Sequence, residues 1–321
     1  MFIDDGGVLR WARGLEVDTL LAGAVWLDLV NPRPEEIARA EAIMGIRLPT
    51  REQRQEIEAS SRLRFIPGGV VMTVMVLVWA DTDAPQITPV TFAVHGDRLA
   101  TVHDIDPHPF LAFRRQVSRK GYPGATADAV LAGLMDSIVE RTAGVLRRVG
   151  IELDTLGSRA FSQSWRFASR QAGDDVRTLK RIGHIGQLVA KARESLASLR
   201  RVAEFLASGD GRVTRRRRSW ARGMLHNVTG LAQYARFLSS KAALLMDTTF
   251  GRINIEQSEI IKIVSALTVA LAPPTLVASV YGMNFEVMPE HAAEWGYPLA
   301  LVLMLLAAVI PLWYVRHRRW M

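Results

Sequence analysis

Ten residues toward the C-terminal end recur at alternating steps of four and three: Asp247, Gly251, Asn254, Ser258, Ile261, Ser265, Thr268, Ala272, Thr275 and Ser279. That spacing sets them along one face of a continuous helix. All but Ile261 are polar or small, and only Asp247 is charged. A row of hydroxyl and amide oxygens can hold water or a hydrated ion, whereas an unpaired polar group in hydrocarbon is costly. The pattern leaves two readings open. The stripe lines a water-filled path, or it lets helices approach closely while its hydroxyls bond back to their own carbonyls. Spacing of seven favours a helix packed against copies of itself, and symmetry then makes a ring of identical stripes around an axis.

Two other clusters invite a chemical reading. His103, Asp104, Asp106 and His108 bring imidazoles and carboxylates together, as a metal site does, but no helical or strand-borne spacing fixes a ligand geometry. The segment reads instead as a polar loop that leaves a strand and starts a helix near Pro109. Arg215-Arg216-Arg217-Arg218 is basic, but no recognition motif or interleaved aromatics surround it, so it reads as a solvated helix face and not as a nucleic-acid site. No nucleophile–base arrangement stands out, and the chain is not read as an enzyme. No Gly-rich ATP-binding loop appears either. Cysteine is absent, which excludes disulfides and thiolate metal sites.

The elements that must carry the stripe follow from periodicity. Val25–Val30, Gly69–Trp79, Ile87–Val94 and Leu99–Val102 read as strands, and His95-Gly96-Asp97 as a hairpin connection. Pro34-Glu35-Glu36 starts a helix with acidic residues in its first turn. Residues 1–124 are therefore expected to form a mixed α/β domain. Thr126 caps a long helix, a second follows Asp174-Asp175, and 125–212 reads as a helical hairpin region. From Arg215 to Ser279 no proline precedes Pro273, so 213–281 reads as one long helix that continues into the membrane. Pro273-Pro274 should kink it there and free carbonyls toward the polar side.

From Ile263 to Val280 no residue is charged, close to the minimum length of a membrane span. Residues 298–314 form a second uncharged apolar segment, with Trp295 and Tyr297 at one end and Trp313, Tyr314 and Trp320 at the other as aromatic belts. The basic tail, 315–321, places the C-terminus in the cytoplasm by the positive-inside rule. Two spans return the N-terminal domain to that same side, and the loop 282–297 faces outward. With 22% charged residues, the chain holds too much charge for an all-membrane protein. Its net charge of +8 suits anionic lipid.

Tyr281-Gly282-Met283-Asn284 ends the first span. Pro273-Pro274-Thr275-Leu276 precedes it, and Phe285-Glu286 and Met288-Pro289-Glu290 follow it. This arrangement resembles the CorA family of magnesium channels, closely over Ile253 to Met321 and more loosely near Ala24–Val30 and Ile57–Ser60. The resemblance implies a funnel-shaped homopentamer in the bilayer of a bacterial inner membrane, with the first span lining the pore and the second forming an outer ring. It implies that Asn284 presents oxygens at the outer mouth while Gly282 and Met283 hold the turn. Thr275 and Ala272 would lie on the pore wall, Ile261 and Ser258 nearer the cytoplasm, and Asp247 at the inner pore. Asp247 and Asn284 would meet the metal, the latter through its bound water. Two departures stand out: the family usually carries Asn in place of Ser258 and often Met in place of Ala272. The long helices are also less acidic than the family's usual hairpin.

What the resemblance implies for function is influx of hydrated Mg2+, with Co2+ and Ni2+ as further cargo, closed by rising internal Mg2+. Mg2+ would thus be transported ion and regulator, with no cofactor. Neutral amide oxygens suit a cation that sheds water reluctantly. Glu286, Glu290 and Glu294 in the outward loop would concentrate cations. Two alternatives remain: a zinc transporter of the same superfamily, and a membrane-anchored scaffold in which the stripe serves only oligomer packing.

Overall fold

The computed structural model describes residues 2–5, 8–11, 24–56, 62–120, 126–161, 172–209, 213–283 and 295–317. The chain divides into two compact units, Met1–Met246 and Asp247–Met321.

The first unit is built on a seven-stranded sheet of β1 (Phe2–Asp5), β2 (Val8–Trp11), β3 (Ala24–Val30), β4 (Leu63–Ile66), β5 (Gly69–Val78), β6 (Gln86–His95) and β7 (Arg98–His103), in the order β2-β1-β3-β7-β6-β5-β4. Among the described strands, only β3 and β7 pair in parallel. The Val- and Met-rich run of β5 is buried on both faces, because the sheet is covered on both sides. Val71 joins a small core with Leu27, Leu29 and Met44, the last from α1 (Pro34–Met44). Val70, Met72 and Val74 point the other way, into the main core. The tight turns at Gly68 (φ +72°) and Gly96 (φ +55°) use backbone that only glycine adopts without strain. Trp79 does not extend β5 as the sequence suggested. Its φ is +54°, and its carbonyl accepts from the Thr82 backbone N–H and hydroxyl, so it opens the turn instead.

A short α2 (Arg51–Gln55), capped by Thr50, and α3 (His108–Lys120) flank the sheet. The hairpin helices are α4 (Ala127–Phe161) and α5 (Ala172–Ser208); the Thr126 hydroxyl caps α4 by accepting from the Ala129 N–H at 3.3 Å. Both bury one stripe, exemplified by Leu134 and Ile138 on α4 and Val189 and Leu196 on α5. The long helix is α6 (Arg215–Tyr281), and within the first unit it lays Ala221, Met224, Val228, Ala235, Leu238, Ala242 and Leu245 into the same core. Its start departs from the solvated basic face expected of Arg215–Arg218. Arg217 is only 8% exposed and donates through Nε to Asp128 at 2.7 Å, and Arg218 donates to the Gly209 carbonyl at 2.8 Å. The carboxylate at the head of α4 explains the difference: it also accepts from the Thr214 hydroxyl at 2.9 Å, which draws Arg217 inward.

The second unit holds Asp247–Tyr281 of α6 and the helix α7 (Gly296–His317). Both contain a segment long and apolar enough to cross a membrane. In α6 none of that segment is buried, so it is not the core helix of a water-soluble fold. The helix runs on through Pro273 and Pro274, which cannot donate to the carbonyls of Val269 and Ala270.

Candidate functional site

The His103–His108 cluster does not gather as a metal site. His103 sets Nδ1 against the Ile105 carbonyl and Nε2 against Asp28 Oδ1, both at 2.9 Å. Asp104 pairs with Arg51 and Arg54, and Asp106 with Arg114. Each carboxylate is already committed to a guanidinium, and among the described residues no group of three acidic or imidazole side chains is placed to hold a metal. Asp28, missed at the sequence level, is the centre of this network. It accepts from the Thr101 hydroxyl at 2.7 Å, from His103 and from Arg114. Burial pushes its carboxyl up, yet these partners outweigh burial and hold it below the ordinary carboxylate range. The visible signal was an acid in the middle of the apolar strand Ala-Val-Trp-Leu-Asp-Leu-Val.

The polar stripe lies on the face of α6 turned away from its packing. In the first unit the buried seam of α6 steps through 221, 224, 228, 235, 238, 242 and 245. Two residues past these positions and past half-buried Leu231, about 200° around the helix, the residues up to Leu244 are all exposed: Gly223, His226, Gly230, Gln233, Phe237, Ser240 and Leu244. The sequence reading began at Asp247 and missed this earlier part, although the same three-four count selects it. In the second unit, Asp247, Gly251, Asn254, Ser258, Ile261, Ser265, Thr268, Ala272, Thr275 and Ser279 are exposed. The half-buried positions of the apolar stretch are Ala266, Val269, Ala270, Pro273, Pro274 and Val277, again on the opposite side. On α7 the less exposed of the described residues are Gly296, Ala300, Met304, Ala307, Ala308 and Pro311, mostly small, as in a close helix seam. Of the two carbonyls freed by the prolines, that of Ala270 sits about 200° around from Thr268, off the stripe, and that of Val269 sits one turn past Ser265, at the stripe's margin.

The hydroxyls of the stripe have a defined polarity. Ser258 donates to the Asn254 carbonyl at 2.8 Å, Thr268 to the Val264 carbonyl at 2.9 Å, and Thr275 to the Leu271 carbonyl. A hydroxyl has one proton and two lone pairs, so each of these oxygens now offers only acceptor positions outward. Back-bonding was one of two alternative readings of the stripe. It proves compatible with the other, since acceptors are what the protons of ion-bound water require. At the end of the helix, Gly282 N–H reaches the Ala278 carbonyl at 2.9 Å and Met283 N–H the Val280 carbonyl at 3.3 Å, which closes the last turn. Asn284, Glu286, Glu290 and Glu294 lie outside the described residues.

A water-exposed α/β and helical part, followed by two membrane-length C-terminal helices with a one-sided polar face on the first, defines an integral membrane transport protein. The profile of the family described as CorA-like Mg2+ transporter protein matches residues 22–318. The chain belongs to that family. It is 32% identical over 301 residues to the magnesium transport protein CorA of Pasteurella multocida, covering 94% of this chain and 93% of that one. Identity to the CorA of Escherichia coli K12 is 31% over the same length and the same shares. Among solved structures, the complete CorA magnesium transporter of Methanocaldococcus jannaschii superposes with a TM-score of 0.70 at 18% identity, covering 91% of this chain and 89% of that one. Full-length CmaX gives 0.68 at 16% identity, with 99% and 96% covered. These two likenesses show the fold.

Proposed function

We propose that this chain is a magnesium transporter that passes hydrated Mg2+ inward through a pore made by α6 of several identical copies, five by family resemblance. The observation that carries this reading is the placement of the stripe. The face opposite the packing seam of α6 stays exposed along the helix, and its back-bonded hydroxyls offer lone pairs. Copies arranged around an axis surround a water column with those acceptors, while the apolar flanks meet lipid and α7. Hydrated Mg2+ donates hydrogen bonds from its waters and needs no direct protein ligand. Asn284 at the mouth and Asp247 at the inner end are assigned as metal-facing through bound water, and Gly282 and Met283 as the turn that presents Asn284. Glu286, Glu290 and Glu294 attract cations to the outer entrance. Both termini are placed in the cytoplasm, and cytoplasmic Mg2+ closes the pore.

The test is uptake by purified protein in proteoliposomes with an internal Mg2+ indicator. Wild type takes up Mg2+, Co2+ and Ni2+ compete, and Asn284→Ala stops entry. Flux unchanged in that variant removes Asn284 from the path, and preference for Zn2+ over Mg2+ replaces the ion assignment.

A further inference from the structure

Within the first unit the exposed face of α6 is mainly small or polar, with Gly223, His226, Gly230, Gln233 and Ser240 among its positions. Phe237 and Leu244 break that pattern, at 59% and 58% exposure. They stand seven residues apart, hence on one line along the helix about 10 Å from each other. Both expose more than half of their surface, on the side of α6 opposite the buried seam. Phe237 is also held in place. Its ring stacks on Tyr234, with centroids 6.3 Å apart and planes 21° apart. Tyr234 in turn occupies a notch on α4 that only glycine leaves open: a Cβ on Gly150 would sit 2.3 Å from the Tyr234 hydroxyl. A fixed aromatic on the water-facing side of a helix has the attributes of a gate and not of a loose surface residue.

We propose that Phe237, with Leu244 about two turns beyond it, forms an apolar gate in the central water column, outside the membrane, and that Tyr234 seated against Gly150 sets the position of Phe237. The proposal rests on the pore reading above and adds a barrier that it does not contain. Identical copies around the axis turn each side chain into an apolar ring, and a narrow apolar ring resists ion passage by shedding water. Phe237 and Leu244 share their heptad column with Gly251, Ser258 and Ser265, so the sequence sets them in line with the polar stripe.

The experiment compares initial Mg2+ flux in proteoliposomes at equal amounts of assembled protein. Phe237→Ser is expected to raise flux roughly threefold or more by wetting the ring, and Phe237→Leu to stay within about twofold of wild type. Gly150→Ala, which displaces the Tyr234 hydroxyl, is expected to raise flux with the oligomer intact. Adding Asn284→Ala to Phe237→Ser should return flux to background; flux that persists is a leak around the subunits and overturns the gate. Flux unchanged or reduced in an intact Phe237→Ser oligomer overturns it as well. The chain has no cysteine, so a single Phe237→Cys variant tests placement independently. Mild oxidation should link copies through position 237, and copies that stay unlinked overturn the axial placement. A wild type that fails to transport Mg2+ at all refutes the proposed function instead, and the cross-link still reads the placement.

Discussion

Asp28 accepts hydrogen bonds from Thr101, His103 and Arg114 in the interior of the α/β domain, and its carboxyl titrates below its ordinary value of 3.8. A depressed carboxyl contributes stability that is fully present above the unfolded value and is lost as pH falls through the folded one. Thermal unfolding of the wild type should therefore weaken steeply below about pH 4, and Asp28→Asn should flatten that dependence. At neutral pH the variant removes one of the two carboxylates that pair with Arg114 and should cost about 1–3 kcal/mol; equal acid sensitivity in both proteins would remove Asp28 from the account. Thr275 tests the polarity of the stripe at the same scale. Thr275→Val keeps shape but removes the outward acceptors, and should lower Mg2+ flux about tenfold, whereas Thr275→Ser should stay near wild type. Single residues were legible in the sequence where a repeat selected them, as with Thr268 and Thr275. Asp28 was not, because its three partners come from β7 and α3, more than seventy residues away in the chain. The reading of His103–His108 as a polar loop between a strand and a helix needed no such partner, and the loop runs from the end of β7 to the start of α3.

Helix α6 was legible as an element because nothing in its sequence stops it. Proline is absent before Pro273, and the glycines at 223, 230 and 251 fall on its exposed face, where they cost propensity but not packing. The strands β3, β5, β6 and β7 were equally plain from their Val-rich runs and from the turn at Gly96. Their order was not, since the parallel pairing of β3 with β7 depends on contacts that no local pattern encodes. The basic start of α6 shows the same limit. Four consecutive arginines look interchangeable, but helix phase turns Arg217 toward Asp128 on α4 while Arg215 and Arg216 stay exposed. Arg217→Ala should thus cost about 3 kcal/mol by stranding a half-buried carboxylate, while Arg216→Ala should stay within about 0.5 kcal/mol. Melting temperatures of the two variants, measured side by side, decide this. Similar losses in both would mean that the segment acts as a diffuse basic patch and not as a clasp between α4 and α6.

At the scale of the whole molecule, the proposed passive passage of Mg2+ requires a source of energy outside the chain. An oriented electric field is the available source. Moving one charge through 100 mV is worth roughly 2.3 kcal/mol, so a divalent ion gains about 4.6 kcal/mol. At equilibrium that corresponds to accumulation of about a thousandfold or somewhat more. The reading of the stripe as a wall of neutral acceptors makes this energy usable: hydroxyl lone pairs hold the hydration shell loosely enough for release, where a ring of carboxylates in the span would trap the ion. Vesicles clamped with a potassium gradient and a potassium ionophore set the potential directly. Mg2+ uptake should rise with an inside-negative potential, and its plateau should change by about tenfold for each 30 mV, the slope set by two charges per ion. A slope corresponding to one charge would mean that an anion or counter-ion travels with the metal. Insensitivity to potential together with dependence on a proton gradient would replace passive conduction with exchange, and the stripe would then have to carry protons as well as hydrated cations.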